Sequence, residues 1–228
     1  NKRREIIIKD QIADVYGGEF ASGKSEVSIN RALNLRNKRK VPIILVDFDL
    51  VNPFYTLRPI KSKLESLGLK VITWERNTFM GLGEASSIVR PDMRWALSQN
   101  GDIIIDVGYG THGAKIFKLL EGIDKNNLKI YGVINICKPL TSTPHQIVDY
   151  VKEFGRIDGI INNSHWGDKT DLTIINDGIK VVSEASKILG IPVIATTVEK
   201  KLAERIGPFD FMGNPIWPLT LYMKDAYW

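Results

Sequence analysis

The sequence contains very little cysteine and histidine. Its 228 residues include one cysteine, Cys137, and three histidines, His112, His145 and His165. A single cysteine cannot close an internal disulfide, which fits a reducing compartment, and it excludes a metal or iron–sulfur site built from several cysteines of one chain. The histidines are far apart and lack the spacing of a zinc site. We therefore interpret them as ordinary loop or cap residues.

Long apolar runs are absent as well. No stretch approaches the roughly 18 apolar residues of a membrane span, and no charged-then-apolar segment of the signal-peptide type opens the chain. The first residue is Asn1 rather than methionine, which leaves a trimmed start open. The hydrophobic and charged fractions, 43% and 25%, are those of soluble globular proteins. We expect a cytoplasmic protein without a membrane span, forming one domain over residues 1–228.

The net charge of +5 is only modestly basic. The densest basic runs are residues 2–4 and 36–40, and the second lies at the end of a predicted helix, where cations complement the helix dipole. No aromatic residues interleave with these charges, as they do on many nucleic-acid-binding surfaces. We therefore interpret the basic runs as solvated surface, with DNA binding as a weakly supported alternative.

The most informative motif is a complete phosphate-binding loop, Gly-x-x-x-x-Gly-Lys-Ser, between an apolar stretch and a helical one. Its two glycines let the backbone curl so that amides point inward, and the following helix adds its free N–H groups. Lys24 brings a positive charge to the β- and γ-phosphates, and the Ser25 hydroxyl can ligate Mg²⁺. The predicted nucleotide contacts are Gly18, Glu19, Phe20, Ala21, Ser22, Gly23, Lys24, Ser25 and Glu26.

Apolar, β-branched runs alternate with helical segments along the chain. We predict strands at 12–17, 41–47, 69–74, 102–107, 128–137, 157–162 and 191–197. We predict helices at 24–36, 56–67, 84–99, 112–121, 144–154, 174–189 and 198–206. The strands are apolar throughout, as expected when helices cover both faces of a sheet. This pattern predicts an α/β fold with a mostly parallel, doubly wound sheet, the three-layer sandwich of P-loop NTPases. Residues 207–228, rich in proline and aromatics, are predicted to be an irregular tail packed on this domain.

Aspartates stand where two of the predicted strands end. Asp47 ends one strand and is followed by Phe48-Asp49, and Asp106 ends another, with Gly110 four residues later. The carboxyl ends of parallel strands meet beside the phosphate loop, so both aspartates are candidates for binding Mg²⁺ through water. A glycine at position 110 lets a backbone N–H approach a γ-phosphate. Either aspartate alone is equally typical of a cap or turn.

Together these motifs resemble the MinD/ParA/NifH group of P-loop NTPases, in the SIMIBI class that also contains cobyrinate and dethiobiotin synthetases. The resemblance covers roughly residues 10–200. It implies that Asp49 orients the attacking water and that the segment from Asp106 to Gly110 binds Mg²⁺ through water and senses the γ-phosphate. The predicted catalytic residues are then Lys24, Asp49 and Asp106, and the predicted metal residues are Ser25, Asp47 and Asp106.

The same resemblance gives a base-contacting position to Asn162-Asn163, after a late strand. It implies ATP as the nucleotide. GTP is the second choice, because Asp168-Lys169-Thr170-Asp171 contains the Lys-x-Asp of many GTPases but begins with aspartate and lies several residues past the strand end.

One residue departs from the family pattern. The MinD/ParA/NifH branch carries lysine directly after the first loop glycine, where it reaches the phosphates of a partner subunit, and this chain has Glu19 there. A carboxylate cannot supply that charge. We therefore do not expect a dimer of that type, which leaves open a differently built dimer or a monomer. The missing cysteine pair sets aside the iron–sulfur reductases and nickel-insertion ATPases of the family.

Three functions follow from these observations. The first is a Mg²⁺-dependent ATPase that acts as a nucleotide-controlled switch with a protein partner. The second is an ATP-dependent ligase or kinase acting on a small acid, like the synthetases of the same class. The third is a DNA-associated module of the partition type.

Overall fold

The structure is a computed structural model that describes residues 11–49, 57–73, 91–108, 119–122 and 127–223. Eight parallel strands form one sheet in the order β3-β2-β4-β1-β5-β6-β7-β8. The strands are β1 (Ala13–Gly18), β2 (Ile43–Phe48), β3 (Lys70–Ile72), β4 (Asp102–Val107), β5 (Leu128–Ile134), β6 (Gly159–Asn162), β7 (Val193–Glu199) and β8 (Ile216–Leu219). The predicted parallel α/β fold is confirmed.

Helices cover both faces of this sheet. They are α1 (Lys24–Lys38), α2 (Lys61–Ser66), α3 (Pro91–Arg94), α4 (Pro144–Phe154), α5 (Leu172–Leu189) and α6 (Lys200–Ile206). Consecutive strand residues enter two different cores: Leu45 belongs to the core that includes residues of α1 and α2, and Val46 belongs to the core that includes residues of α4 and α5. Both faces of the strands are therefore buried, which explains why the strands are apolar throughout.

The strand order reverses at β1. β1 pairs with β4 on one side and with β5 on the other, so the chain builds β2 to β4 on one side of β1 and β5 to β8 on the other. In open parallel sheets, ligands bind at such a reversal, outside the carboxyl ends of the strands. The carboxyl ends of β1, β4 and β5 lie side by side at this point.

Several predicted boundaries need correction. The segment 198–206 is not wholly helical, because β7 continues to Glu199 and α6 begins at Lys200. The predicted strand 128–137 ends at Ile134, since the side chain of Asn135 accepts a hydrogen bond from the Cys137 N–H and closes a turn. Within 84–99, the described part holds only α3 and a short 3₁₀ turn, Ala96–Ser98. Most of the predicted helix 112–121 lies outside the described residues.

The C-terminal segment was predicted to be irregular, but part of it joins the sheet. Residues Ile216–Leu219 form β8, which pairs in parallel with the end of β7. Pro218 is tolerated there because β8 is an edge strand. Residues 224–228 lie outside the described part. Within the described ranges, no helix is both long and apolar enough to cross a membrane.

Candidate functional site

The loop between β1 and α1 curls as the glycine spacing predicts. The Ser22 N–H donates to the carbonyl of Glu19 at 3.1 Å, and both Ala21 (φ 56°) and Gly23 (φ 82°) have left-handed backbones. A side chain at Gly18 would place its Cβ 2.5 Å from the carbonyl oxygen of Val133. Glycine is thus required where the loop leaves β1, and the alternating backbone turns its amides inward as an anion-binding nest does.

A cavity of about 990 Å³ opens beside this loop, at the carboxyl ends of the strands. The predicted site residues that line it are Phe20, Ala21, Gly23, Lys24, Ser25, Glu26, Asp49 and Asn163. Those that do not line it are Gly18, Glu19, Ser22, Asp47, Asp106 and Asn162, and Gly110 lies outside the described residues. The side chain of Lys24 is buried, and it forms no ion pair with any described carboxylate.

Two of the predicted acidic residues are direct neighbours in the sheet. Asp47 on β2 and Asp106 on β4 are register partners, both buried. Burial raises the pKa of Asp106 to about 7; the charge of Lys24 and a hydrogen bond from Ser25 oppose this shift, while the charges of Asp47 and Asp49 add to it. The Oδ1 atom of Asp106 accepts no hydrogen bond from the described residues. A buried carboxylate of this kind requires a cation or a bound water, so the arrangement fits a hydrated divalent ion at Ser25.

Asp47 differs from its neighbour because its oxygens have protein partners. It accepts hydrogen bonds from the backbone N–H groups of Asp49 (3.2 Å) and Leu57 (3.0 Å) and from the hydroxyl of Thr73 (3.2 Å). Asp49 itself lies at the cavity and packs against Gly108, where an added Cβ would come 2.7 Å from its Oδ1. Asp47 therefore holds the chain that presents Asp49 to the cavity.

The carboxylate of Glu19 turns away from the cavity. Its oxygens accept the Leu140 N–H at 3.2 and 3.3 Å and lie 3.1 Å from the hydroxyl of Thr141. Glu19 is 8% exposed and thus connects the phosphate loop to the turn after β5. Its charge does not face the space in which a phosphate would lie.

The two asparagines after β6 point in different directions. Asn163 donates from Nδ2 to the carbonyl of Ser22 at 2.7 Å, and its Oδ1 accepts the hydroxyl of Thr197 at 2.6 Å. Asn162 does not line the cavity, and its Oδ1 accepts the hydroxyl of Ser164 at 2.6 Å. Asn163 thus fixes the phosphate loop, and Asn162 fixes the turn that follows β6.

His165 follows these asparagines and lies against the phosphate loop. Its Nε2 would be 3.2 Å from a Cβ at Gly23. Burial, together with the charge of Lys138, lowers the pKa of His165 to about 4, and the nearby backbone of Ser22 opposes this shift. The imidazole is therefore neutral at physiological pH.

The Lys-x-Asp segment is divided between two roles. Asp168 and Lys169 line the cavity within a tight turn closed by the hydroxyl of Thr170, and the exposed ring of Trp166 lies at the same wall. Asp171 does not line the cavity, because its carboxylate caps α5 by accepting the Ile174 N–H at 2.9 Å. The acid that sequence pattern alone aligns with the guanine-reading aspartate is thus a helix cap.

Sequence reasoning missed the far wall of the cavity. It is formed by residues of β7, α6 and the C-terminal segment: Thr197, Val198, Glu199, Lys201, Leu219, Leu221 and Met223. The period-two spacing of the last three is the one signal in the sequence that could have identified a common face there.

Comparison with solved structures agrees with the fold described above. The crystal structure of cell division protein FtsY from Thermotoga maritima matches with a TM-score of 0.55 and 17% identity, over 95% of this chain and 66% of that one. Signal recognition particle receptor FtsY from Elizabethkingia anophelis, in complex with GDP, matches with a TM-score of 0.55 and 14% identity, over 96% and 62%. The fold is that of the P-loop NTPases.

These similarities have clear bounds. At 14–17% identity they show the fold alone. The chain spans slightly less than two thirds of the length of either FtsY structure. No protein-family model and no curated protein matches the sequence.

Proposed function

We propose that this protein binds a nucleoside triphosphate with Mg²⁺ and hydrolyses it, acting as a nucleotide-controlled switch. The observation that carries the proposal is that two buried groups beside the phosphate loop, the ammonium of Lys24 and one carboxylate oxygen of Asp106, lack partners among the described residues. The buried Lys24 borders the cavity without an ion pair to a described carboxylate, and Asp106, behind Ser25, keeps a buried oxygen that accepts no described hydrogen bond. A triphosphate would pair with Lys24, and its hydrated metal ion would pair with Asp106.

The phosphate loop supplies most of the binding. The inward-turned amides between Gly18 and Gly23 and the first free N–H groups of α1 surround the phosphates, and Lys24 adds a full charge. Asn163 and Glu19 hold this loop from opposite sides through Ser22 and the turn after β5. Because the loop is fixed before the nucleotide arrives, less free energy is lost in ordering it.

The metal residues are those nearest the start of α1. Ser25 would hold Mg²⁺ through its hydroxyl, and Asp106 would hold the water shell of the ion through its unpaired oxygen. When bound, Mg²⁺ neutralises charge on the β- and γ-phosphates. Asp47 acts indirectly, because its oxygens already hold Asp49, Leu57 and Thr73.

Asp49 is the residue we assign to the attacking water. It lines the cavity, its carboxylate lies beside the backbone at Gly108, and its backbone N–H donates to the carboxylate of Asp47. Gly110 stays a predicted γ-phosphate contact. Catalysis by such a site is mainly positioning and electrostatic stabilisation, so removing Asp49 should lower turnover and spare binding.

For the base, we propose ATP over GTP. The family resemblance implies ATP, and Asp171, which could accept hydrogen bonds from a guanine edge, is used to cap α5. The FtsY structure solved with GDP argues in the other direction, since it has the same fold. Measuring both nucleotides decides between them.

The switch function rests on the segment after β2. Asp47 ties Leu57 to the end of β2 and lies beside Asp49 at the cavity. A ligand that moves Asp49 would therefore also disturb the attachment of Leu57. In nucleotide switches, the presence of the γ-phosphate changes a partner surface through such a coupled movement. We propose a protein partner or a dimer that does not use a lysine at position 19.

Calorimetry with Mg²⁺ and non-hydrolysable ATP and GTP analogues tests the proposal, with light scattering reporting mass. Lys24→Ala should weaken binding by roughly 30-fold or more, because it removes the buried charge that would pair with the phosphates. Lys129→Ala is the matched control, since Lys129 is exposed on β5 and does not line the cavity. If the wild-type protein binds neither analogue, the proposal is wrong.

A further inference from the structure

The cavity lining has two chemically distinct parts. One part is the phosphate loop with Lys24 and Ser25. The other consists of apolar side chains from α5, β7 and the C-terminal segment, namely Ile175, Val198, Leu219, Leu221 and Met223. A nucleoside triphosphate likewise combines charged phosphates with a flat, largely apolar base. The apolar part of the lining has the character of a pocket for the base and ribose.

Residues 219–223 form what we call the C-terminal strap, which runs from β8 across the start of α1. Leu219, Leu221 and Met223 face the cavity, whereas the ring of Tyr222 lies on the other side, 5.4 Å from Nζ of Lys63. The strap thus presents alternate side chains to the cavity, as extended chains do.

Glu26 fastens this strap to the phosphate-binding helix. Its carboxylate accepts the backbone N–H of Tyr222 at 2.8 and 3.0 Å and that of Met223 at 2.6 Å. One turn further along α1, Asn30 donates to the carbonyl of Thr220 and accepts its N–H, each at 2.9 Å. Glu26 directly follows Ser25, so the strap is attached to the first turn of α1.

We propose that the C-terminal strap belongs to the nucleotide site, with Leu221 and Met223 forming an apolar wall against the nucleoside and Glu26 holding that wall in place. This assignment rests on the proposed nucleotide function. It also gives Glu26 a role compatible with nearby phosphates, because its oxygens are occupied by two backbone N–H groups. The carboxylate fixes the strap at the cavity rather than contacting the ligand.

The test compares two ligands that differ only in the presence of a nucleoside. Binding of the non-hydrolysable ATP analogue and of inorganic tripolyphosphate, both with Mg²⁺, is measured for the wild type and for Met223→Ala. We expect the variant to bind the analogue about fivefold to tenfold more weakly, since it loses part of an apolar contact. Its affinity for tripolyphosphate should stay unchanged, because that ligand does not reach the strap.

Met212→Ala is the matched control, because Met212 is 44% exposed and does not line the cavity. Asn30→Ala releases the strap from a position outside the cavity and should weaken binding of the analogue alone. A third readout does not depend on a variant: the analogue, but not tripolyphosphate, should slow hydrogen exchange at the amides of Tyr222 and Met223.

The outcomes separate this inference from the proposed function. If the wild type binds neither ligand, the nucleotide function fails. If it binds the analogue but Met223→Ala binds it equally well, or loses tripolyphosphate to the same extent, the strap is not a nucleoside contact. If both ligands slow exchange at residues 222 and 223 equally, the strap responds to the phosphates, and the inference is wrong.

Discussion

The two sides of the phosphate loop are built from different chemistry. On the side of β2 and β4, three carboxylates gather, those of Asp47, Asp49 and Asp106. On the side of β5, β6 and β7, the corresponding positions carry neutral amides and hydroxyls, chiefly Asn135, Asn162, Asn163, Thr196 and Thr197. Both sides lie at the same edge of one sheet. They differ in whether hydrogen bonds within the protein alone satisfy these carboxylates, amides and hydroxyls.

On the neutral side, the asparagine amides are bonded within the protein. The Oδ1 of Asn135 accepts the N–H groups of Cys137 and His165, and its Nδ2 donates to the carbonyl of His165. Asn163 is bonded in the same way to Ser22 and Thr197. The acidic side leaves Asp106 with a buried oxygen that no described residue satisfies. One side therefore fixes the geometry of the loop, and the other is left for a ligand to complete.

The largest expected effect is on the pH dependence of stability in the metal-free protein. The pKa of Asp106 is raised in the fold to about 7, so its contribution is present near pH 4 and is lost as the pH rises to 7. The pKa of His165 is lowered to about 4, so its contribution is present above pH 6.5 and is lost as the pH falls toward 4. These contributions to the free energy of unfolding, on the order of 4 kcal/mol for Asp106 and 3 kcal/mol for His165, change with pH in opposite directions.

Urea unfolding from pH 4 to 7 in a chelating buffer resolves these slopes. The stability of Asp106→Asn relative to the wild type should increase as the pH rises, and that of His165→Gln should increase as the pH falls. In the wild type the two slopes largely cancel. Differences that do not change with pH in either variant would mean that the group in question is not buried as described.

The next largest effect concerns the metal. Asp106→Asn should remove most of the gain in nucleotide affinity that Mg²⁺ provides, a loss of roughly 100-fold, because an amide oxygen replaces a buried charge. Binding of the ATP analogue is compared with and without Mg²⁺ in both proteins. Asn163→Ala serves as the contrast, since it should keep the full Mg²⁺ gain. An unchanged Mg²⁺ gain in Asp106→Asn would exclude this residue from the metal site.

Asn163→Ala should instead affect stability, by about 2 kcal/mol. It leaves the carbonyl of Ser22 and the hydroxyl of Thr197 buried without this partner, and each such loss costs about 1–3 kcal/mol. Thermal or urea unfolding of the ligand-free protein measures this loss. A variant as stable as the wild type would show that the neutral side does not hold the loop.

The same comparison explains how much the sequence could predict. The sheet was predictable because its strands are apolar throughout. The loop was predictable because local geometry requires its two glycines: Gly23 has a left-handed backbone, and Gly18 has no room for a side chain. These properties are encoded within a few residues. The place of the loop between β1 and α1 was therefore predictable, and its contacts with a nucleotide stay a prediction.

The partners of each side chain were not predictable, because they come from far along the chain. Glu19 was predicted to be a nucleotide contact, yet it bonds to Leu140 and Thr141, more than 120 residues away. Glu26 bonds to Met223, 197 residues away. Asn162 and Asn163 are neighbours in sequence, but they face different surroundings at the end of a strand. No local pattern reveals which one reaches the loop.

The smallest expected effect sharpens the contrast within the acidic side. Asp47→Asn keeps one acceptor oxygen but turns an amide toward donors now bonded to the carboxylate, so it should cost about 1 kcal/mol of stability. Because Asp47 acts through Asp49, turnover should fall several-fold while nucleotide affinity and its Mg²⁺ gain stay close to wild type. Steady-state hydrolysis and calorimetry on the same preparation measure both. A variant that loses Mg²⁺-dependent affinity as Asp106→Asn does would mean that the two register partners share the metal after all.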